Sequence, residues 1–218
     1  MKKKLLLTTV CRPIGPSQGD APSVGYELLY GQVTRAQGVF SPRATHVQYS
    51  LEYIAHNIDM PCTVLQYPSK RELILELRKG YEFIGVAFIM ATYHHMKNLV
   101  ALVREHAPDT RIILGGYGTI ISDSELKPYC DYICREEGVA FMRNLLGEPL
   151  RPLPYEHPMV ISHLKMFSLP VSRTGMVFAG LGCANGCDFC CTSHFFKLRH
   201  IRLLPTGKDI YDVLCRYQ

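Results

Sequence analysis

The feature that most constrains this chain is a series of short, almost wholly apolar segments, each separated from the next by a longer stretch with helical spacing. Leu5 to Val10, Thr63 to Gln66, Phe83 to Phe88, Arg111 to Leu114 and Asp131 to Cys134 are too continuously hydrophobic to lie with one face in water. They predict strands covered on both sides. Between them, Val47 to Asn57, Lys70 to Arg78 and His95 to His106 place apolar residues at helical intervals, as in Met96, Leu99, Val100 and Val103. Strand and helix in alternation give an α/β fold built on a parallel sheet.

Five such strands predict a flavodoxin-like, doubly wound domain over residues 1–148. Its ligands should bind beyond the carboxyl ends of the strands, at Cys11 to Ile14, Ile89 to Tyr93 and Gly115 to Thr119. Arg12 to Arg43 is long for a connection and mixes Gly, Pro and Ser with aromatics, a pattern of functional or disordered loops. Residues 149–172, with Pro149, Pro152, Pro154, Pro158 and Pro170, read as a linker that cannot continue a helix. A second segment, 173–218, follows. Gly175 to Leu181 is its expected strand, and Thr206 onward, with Ile210, Val213 and Leu214, its expected helix.

Hydrophobic residues at 47% and charged residues at 20% exclude a largely disordered or collagen-like chain. A net charge of +5 falls short of a nucleic-acid footprint. The tightest basic cluster, Lys197, Arg199, His200 and Arg202, suits either an anionic substrate or a solvated loop. Met1-Lys2-Lys3-Lys4 before Leu5 to Val10 imitates a secretory leader, but the apolar run is too short and Val10 too bulky for cleavage, so a buried first strand is expected. No run approaches the ~18 apolar residues of a membrane span. Nine cysteines, an odd number in a chain able to build a core, point away from a disulfide framework and toward the reducing cytoplasm.

The most specific local pattern is Gly182-Cys183-Ala184-Asn185-Gly186-Cys187-Asp188-Phe189-Cys190, a C-x3-C-x2-C triplet just after an expected strand. Thiolates are soft ligands for zinc or iron–sulfur centres, and Gly182 and Gly186 permit the backbone a tight wrap requires. Ordinary iron–sulfur clusters use four cysteines. Three ligands leave one coordination position open, which marks a reactive rather than a closed site. Cys191 is the obvious fourth thiol but follows directly on Cys190. Zinc, with His194 or His200 completing the set, and inert packing are the alternative readings.

This segment resembles the signature of the radical S-adenosylmethionine superfamily. The resemblance implies that Cys183, Cys187 and Cys190 hold a 4Fe-4S cluster whose open iron chelates the methionine end of S-adenosylmethionine. It also implies reductive cleavage to a 5′-deoxyadenosyl radical, an electron donor such as a flavodoxin or ferredoxin, and a small-molecule substrate. Phe189 would lie near the adenine; a core aromatic is the plainer reading.

The first half, with Gly115-Gly116-Tyr117-Gly118 after the fourth strand and Asp131 to Gly138 after it, looks like the cobalamin-binding domain placed ahead of many radical enzymes. That likeness assigns Gly115, Gly116, Tyr117 and Gly118 to close approach of the corrinoid, with Thr92 and Tyr93, beside His94 and His95, at the same edge. An ordinary strand-to-helix turn also explains the glycines. No D-x-H-x-x-G occurs, Ala87 stands where relatives often have serine, and Glu136 replaces a glycine of the family's R-G-E-G pattern. Together the two likenesses imply a cobalamin-dependent radical enzyme, such as a C-methyltransferase. A noncatalytic corrinoid or redox module with a structural metal loop is the competing class. A methylthiotransferase-like enzyme with a second cluster near Cys11, Cys130 and Cys134 is a further one. Pro170 to Gln218 is far shorter than the ~200 residues or more of a complete α/β barrel, so an incomplete barrel segment is expected.

Overall fold

The computed structural model describes residues 4–11, 43–44, 47–166 and 169–218. In chain order the first elements are β1 (Leu5–Thr9), β2 (Arg43–Ala44), α1 (Tyr49–His56), β3 (Cys62–Leu65), α2 (Lys70–Leu77) and β4 (Phe83–Ala87). They continue with α3 (Tyr93–His106), β5 (Arg111–Gly115), α4 (Asp123–Leu126), β6 (Tyr132–Ile133) and α5 (Gly138–Leu146). A five-stranded sheet runs in the order β3-β1-β4-β5-β6, every pair parallel.

Alternation along the strands divides the core into two layers. Leu6, Ile84, Val86, Ile112 and Leu114 face Leu73 and Leu77 of α2 and Met96, Leu99, Val100 and Val103 of α3. Leu5, Leu7, Phe83 and Ile113 face Leu51 of α1 and Met142 of α5. The α/β expectation therefore holds, with helices on both faces and a strand order matching the flavodoxin-like pattern. The chain leaves β1 toward one edge and returns through β4 on its other side, so the switch point lies between Thr9 and Ala87.

Local chemistry sets the ends of the helices. Ser69 and Glu72 close a capping box ahead of α2. The Glu137 carboxylate accepts from the N–H groups of Val139 at 2.7 Å and Ala140 at 2.8 Å to start α5. Gly147, in the left-handed region at φ +71°, ends it. Behind α5 the Arg143 guanidinium, 1% exposed, pairs with Asp59 at 2.8 Å and Glu148 at 3.2 Å and donates to the Asn57 carbonyl at 2.8 Å. These bonds fasten the exit of the domain to the turn after α1.

The later elements are β7 (Ile161–Met166), β8 (Leu169–Gly175), β9 (Gly180–Gly182), α6 (Cys191–Phe195), β10 (His200–Arg202) and α7 (Gly207–Cys215). Here the structure departs from the sequence reading. The proline-rich stretch 149–172 holds β7 and the start of β8, in a sheet ordered β2-β7-β8. Pro170 is tolerated because β8 is an edge strand, and the register shifts opposite it between Leu164 and Lys165. The strand expected at Gly175 to Leu181 is broken: β8 ends at Gly175, and β9 begins only at Gly180. β9 pairs antiparallel with β10, so a parallel barrel strand is not formed there among the described residues. The expected terminal helix is present as α7, started by a capping box between Thr206 and Asp209. Most of the connection from Arg12 to Arg43, including Arg12 to Ile14 at the expected ligand edge, lies outside the described residues. No helix among the described residues is long and apolar enough to cross a membrane.

Candidate functional site: the cysteine loop and the cavity beside it

The cysteine triplet forms the loop between β9 and α6. Gly182 at φ +75° and Gly186 at φ +67° turn the backbone through the left-handed region, where a side chain is disfavoured. At Gly182 space is also lacking, since a Cβ there would meet the Arg199 carbonyl oxygen at 2.2 Å. Cys190 N–H donates to the Cys187 carbonyl at 2.9 Å and tightens the second half of the loop. Cys183 and Cys190 are half-buried, whereas Cys187 and Cys191 are exposed. Cys191 is the first residue of α6.

Cys190 stands at the N-cap position of α6. The Ser193 N–H, the Ser193 hydroxyl and the Thr192 N–H around its sulfur hold its thiol below the usual cysteine range. That setting favours the thiolate, the ligating form. Four cysteines of the sheet domain behave differently. Burial pushes Cys11 and Cys130 up to about 11, and Cys62 and Cys134 up to about 12, so these thiols stay protonated at neutral pH. Phe189, between Cys187 and Cys190, is 93% exposed; it is not a core aromatic. No three His, Cys, Asp or Glu side chains converge on a single-ion position among the described residues.

Next to the loop lies a cavity of about 350 Å³. Its floor is the carboxyl half of the sheet, with Gly85, Ala87 and Gly115; its sides include Tyr53 of α1 and Met142 of α5. The remaining wall comes from residues flanking the cysteine loop: Leu181 before it, Phe195 and Phe196 after it. Tyr117 joins the two parts. It lines the cavity, its ring meets that of Phe195 edge-on at 5.2 Å, and its hydroxyl accepts from Thr192 Oγ1 at 3.4 Å. Tyr53 brings a buried hydroxyl with no partner.

The residues expected to receive a corrinoid are placed unevenly. Gly115, Gly116 and Tyr117 line the cavity; Gly118, Thr92 and Tyr93 do not. Gly116 and Gly118 are required by the protein itself. A Cβ on Gly116 would meet the Phe88 carbonyl oxygen at 2.7 Å, and one on Gly118 the Phe88 ring at 2.3 Å. Only Gly115 is open, with its nearest neighbour, Cys134 Cβ, at 3.9 Å. Thr92 bonds through its hydroxyl to the backbone of Ile89, and Tyr93 donates to the Glu125 carbonyl, so both serve the start of α3. Tyr49, Tyr53, Phe178 and Leu203 in the wall were not expected from the sequence. Only the Tyr49 and Tyr53 pair, four apart on one helix face, carried a readable signal.

No protein-family model matches the chain, and no curated protein sequence matches it.

Proposed function

We infer that this chain serves cobalamin-dependent radical S-adenosylmethionine chemistry, with methyl transfer to an unactivated carbon as the reaction class. One observation carries the reading: the residues that flank the C-x3-C-x2-C loop, Leu181 before it and Phe195 and Phe196 after it, share the wall of one apolar cavity with the carboxyl edge of a five-stranded parallel sheet. A ligand of the sheet and a ligand of the loop would thus be neighbours.

The residues fit an iron–sulfur cube. Cys183, Cys187 and Cys190 supply soft donors from one loop, and the Cys190 sulfur faces N–H groups. At about 350 Å³ the cavity lies at the small end of the ~300–1,000 Å³ of ligand pockets. Its size suits the nucleotide end of a corrinoid rather than the macrocycle.

When bound, the cluster and S-adenosylmethionine would supply one-electron cleavage of the sulfonium, and the corrinoid a transferable methyl group. The chain's own residues bind, orient and shield. Gly182 and Gly186 set the directions of the thiols. Phe195, Phe196 and Tyr117 close the loop side of the cavity to water, and Phe189 offers an exposed ring on which a purine can stack.

The test is titration of hydroxocobalamin into the full chain, followed by its visible spectrum. The wild type should bind. Gly115→Leu, which adds a side chain at a cavity-lining position where a Cβ meets only Cys134 Cβ at 3.9 Å, should not, while remaining folded by circular dichroism. A spectrum that stays that of free hydroxocobalamin in the wild type removes cobalamin from the reading.

A further inference from the structure

Ser193 is a physical anomaly. It is 1% exposed and its hydroxyl forms no well-aligned hydrogen bond, although the Cys190 sulfur lies beside it, and a buried polar group left so costs about 1–3 kcal/mol. A side chain at the third position of a helix can escape that cost by bonding back to the N–H of the N-cap residue, as Glu or Gln does in a capping box. Here that N–H is taken, because Cys190 N–H already donates to the Cys187 carbonyl at 2.9 Å. Cys190 is the N-cap of α6 and Ser193 the third residue of the helix, with its N–H and hydroxyl beside the Cys190 sulfur. The Thr192 hydroxyl also lies near that sulfur, but it donates to the Tyr117 hydroxyl at 3.4 Å.

We propose that the Ser193 hydroxyl is a positioning donor held for the Cys190 sulfur when that sulfur ligates a cluster, and that it raises the cluster's reduction potential. This rests on the iron–sulfur reading above. A proton donated to a ligand sulfur stabilises the reduced, more negative state of a cluster more than the oxidised one. The hydroxyl therefore makes reduction easier, which one-electron chemistry at this loop requires. Ser193 neither binds iron nor touches substrate.

The experiment is a dithionite redox titration of the anaerobically reconstituted full chain, read by visible absorption and electron paramagnetic resonance. Ser193→Ala should keep its iron but move the midpoint to lower potential, with about a tenfold fall in the reduced-to-oxidised ratio at fixed potential, or about 59 mV for one electron. Ser193→Thr should restore the wild-type value. Should Ser193→Ala fail to fold, Ser193→Thr and Ser193→Val, matched in shape and differing in the hydroxyl, carry the same comparison. Equal midpoints with and without the hydroxyl, in chains that hold iron, overturn the inference alone. A wild type that takes up no iron overturns it together with the reading beneath it.

Discussion

Replacing Gly182 with alanine should disable the cysteine loop, whereas the same change at Gly186 should be tolerated. Both glycines have positive φ, so each substitution pays about 1–2 kcal/mol for placing a Cβ in the left-handed region. Surroundings separate them. At Gly186 the added carbon meets only Leu198 Cδ2, at 3.3 Å, the end of a flexible side chain. At Gly182 it falls 2.2 Å from the Arg199 carbonyl oxygen and 2.9 Å from Phe196 Cβ, and this backbone is fixed by the pairing of Gly182 with His200. Relief requires opening the β9–β10 ladder at about 0.5–1.5 kcal/mol per lost hydrogen bond. With about two bonds opened, the local cost at Gly182 is therefore about 2–5 kcal/mol, against about 1–2 kcal/mol at Gly186. Native-state hydrogen exchange reads this directly, because local opening exposes the β9 and β10 amides without global unfolding. Protection there should collapse in Gly182→Ala and fall only slightly in Gly186→Ala, with iron uptake following the same order. Equal losses in both variants would refute the role given to the Arg199 carbonyl.

Arg143→Ala should lower global stability by about 3–5 kcal/mol in urea unfolding, since it removes the cation from Glu148, which keeps only the Asp59 and Met60 N–H groups, and leaves the Asn57 carbonyl unpaired; a change under about 1 kcal/mol would contradict the clasp. His157 accepts the Phe178 N–H at Nε2 and bonds the Pro158 carbonyl through Nδ1, so it is buried as the neutral ring, and burial lowers its pKa. Its folded value lies below the ~6.5 of an unfolded histidine. The stability it contributes is thus complete above about pH 6.5 and is lost as pH falls through the folded value. Urea midpoints measured between about pH 7.5 and about pH 5 should fall more steeply in the wild type than in His157→Gln; parallel curves would show that this ring does not govern the slope.

The parallel sheet was legible because strands covered on both faces, such as Leu5 to Leu7 and Ile112 to Leu114, must be apolar at every position. Helices α1, α2, α3 and α7 were legible by spacing, whereas the capping boxes that start α2 and α7, and the short helices α4 and α6, came only from the structure. The hairpin of β7 and β8 was hidden because β8 is exposed along its whole length and contains Pro170, so neither apolar alternation nor composition announces it. The cavity was hidden for a different reason. Its wall joins Tyr53, Gly115, Phe178 and Leu203, residues far apart in the chain, and only the packing of the later elements on the sheet edge assembles it. The glycines after β5 show the limit of motif reading. Their spacing suggested close approach by a ligand, but the neighbour that needs Gly116 and Gly118 is Phe88.

The most direct test of the central claim is Mössbauer spectroscopy of the anaerobically reconstituted chain with and without S-adenosylmethionine. About four irons per chain are expected, lost in Cys187→Ala, with one iron site distinct from the others and shifting when S-adenosylmethionine is added. A chain that holds zinc and no iron, or a cluster whose irons are all ligated by protein and do not respond to S-adenosylmethionine, would contradict it.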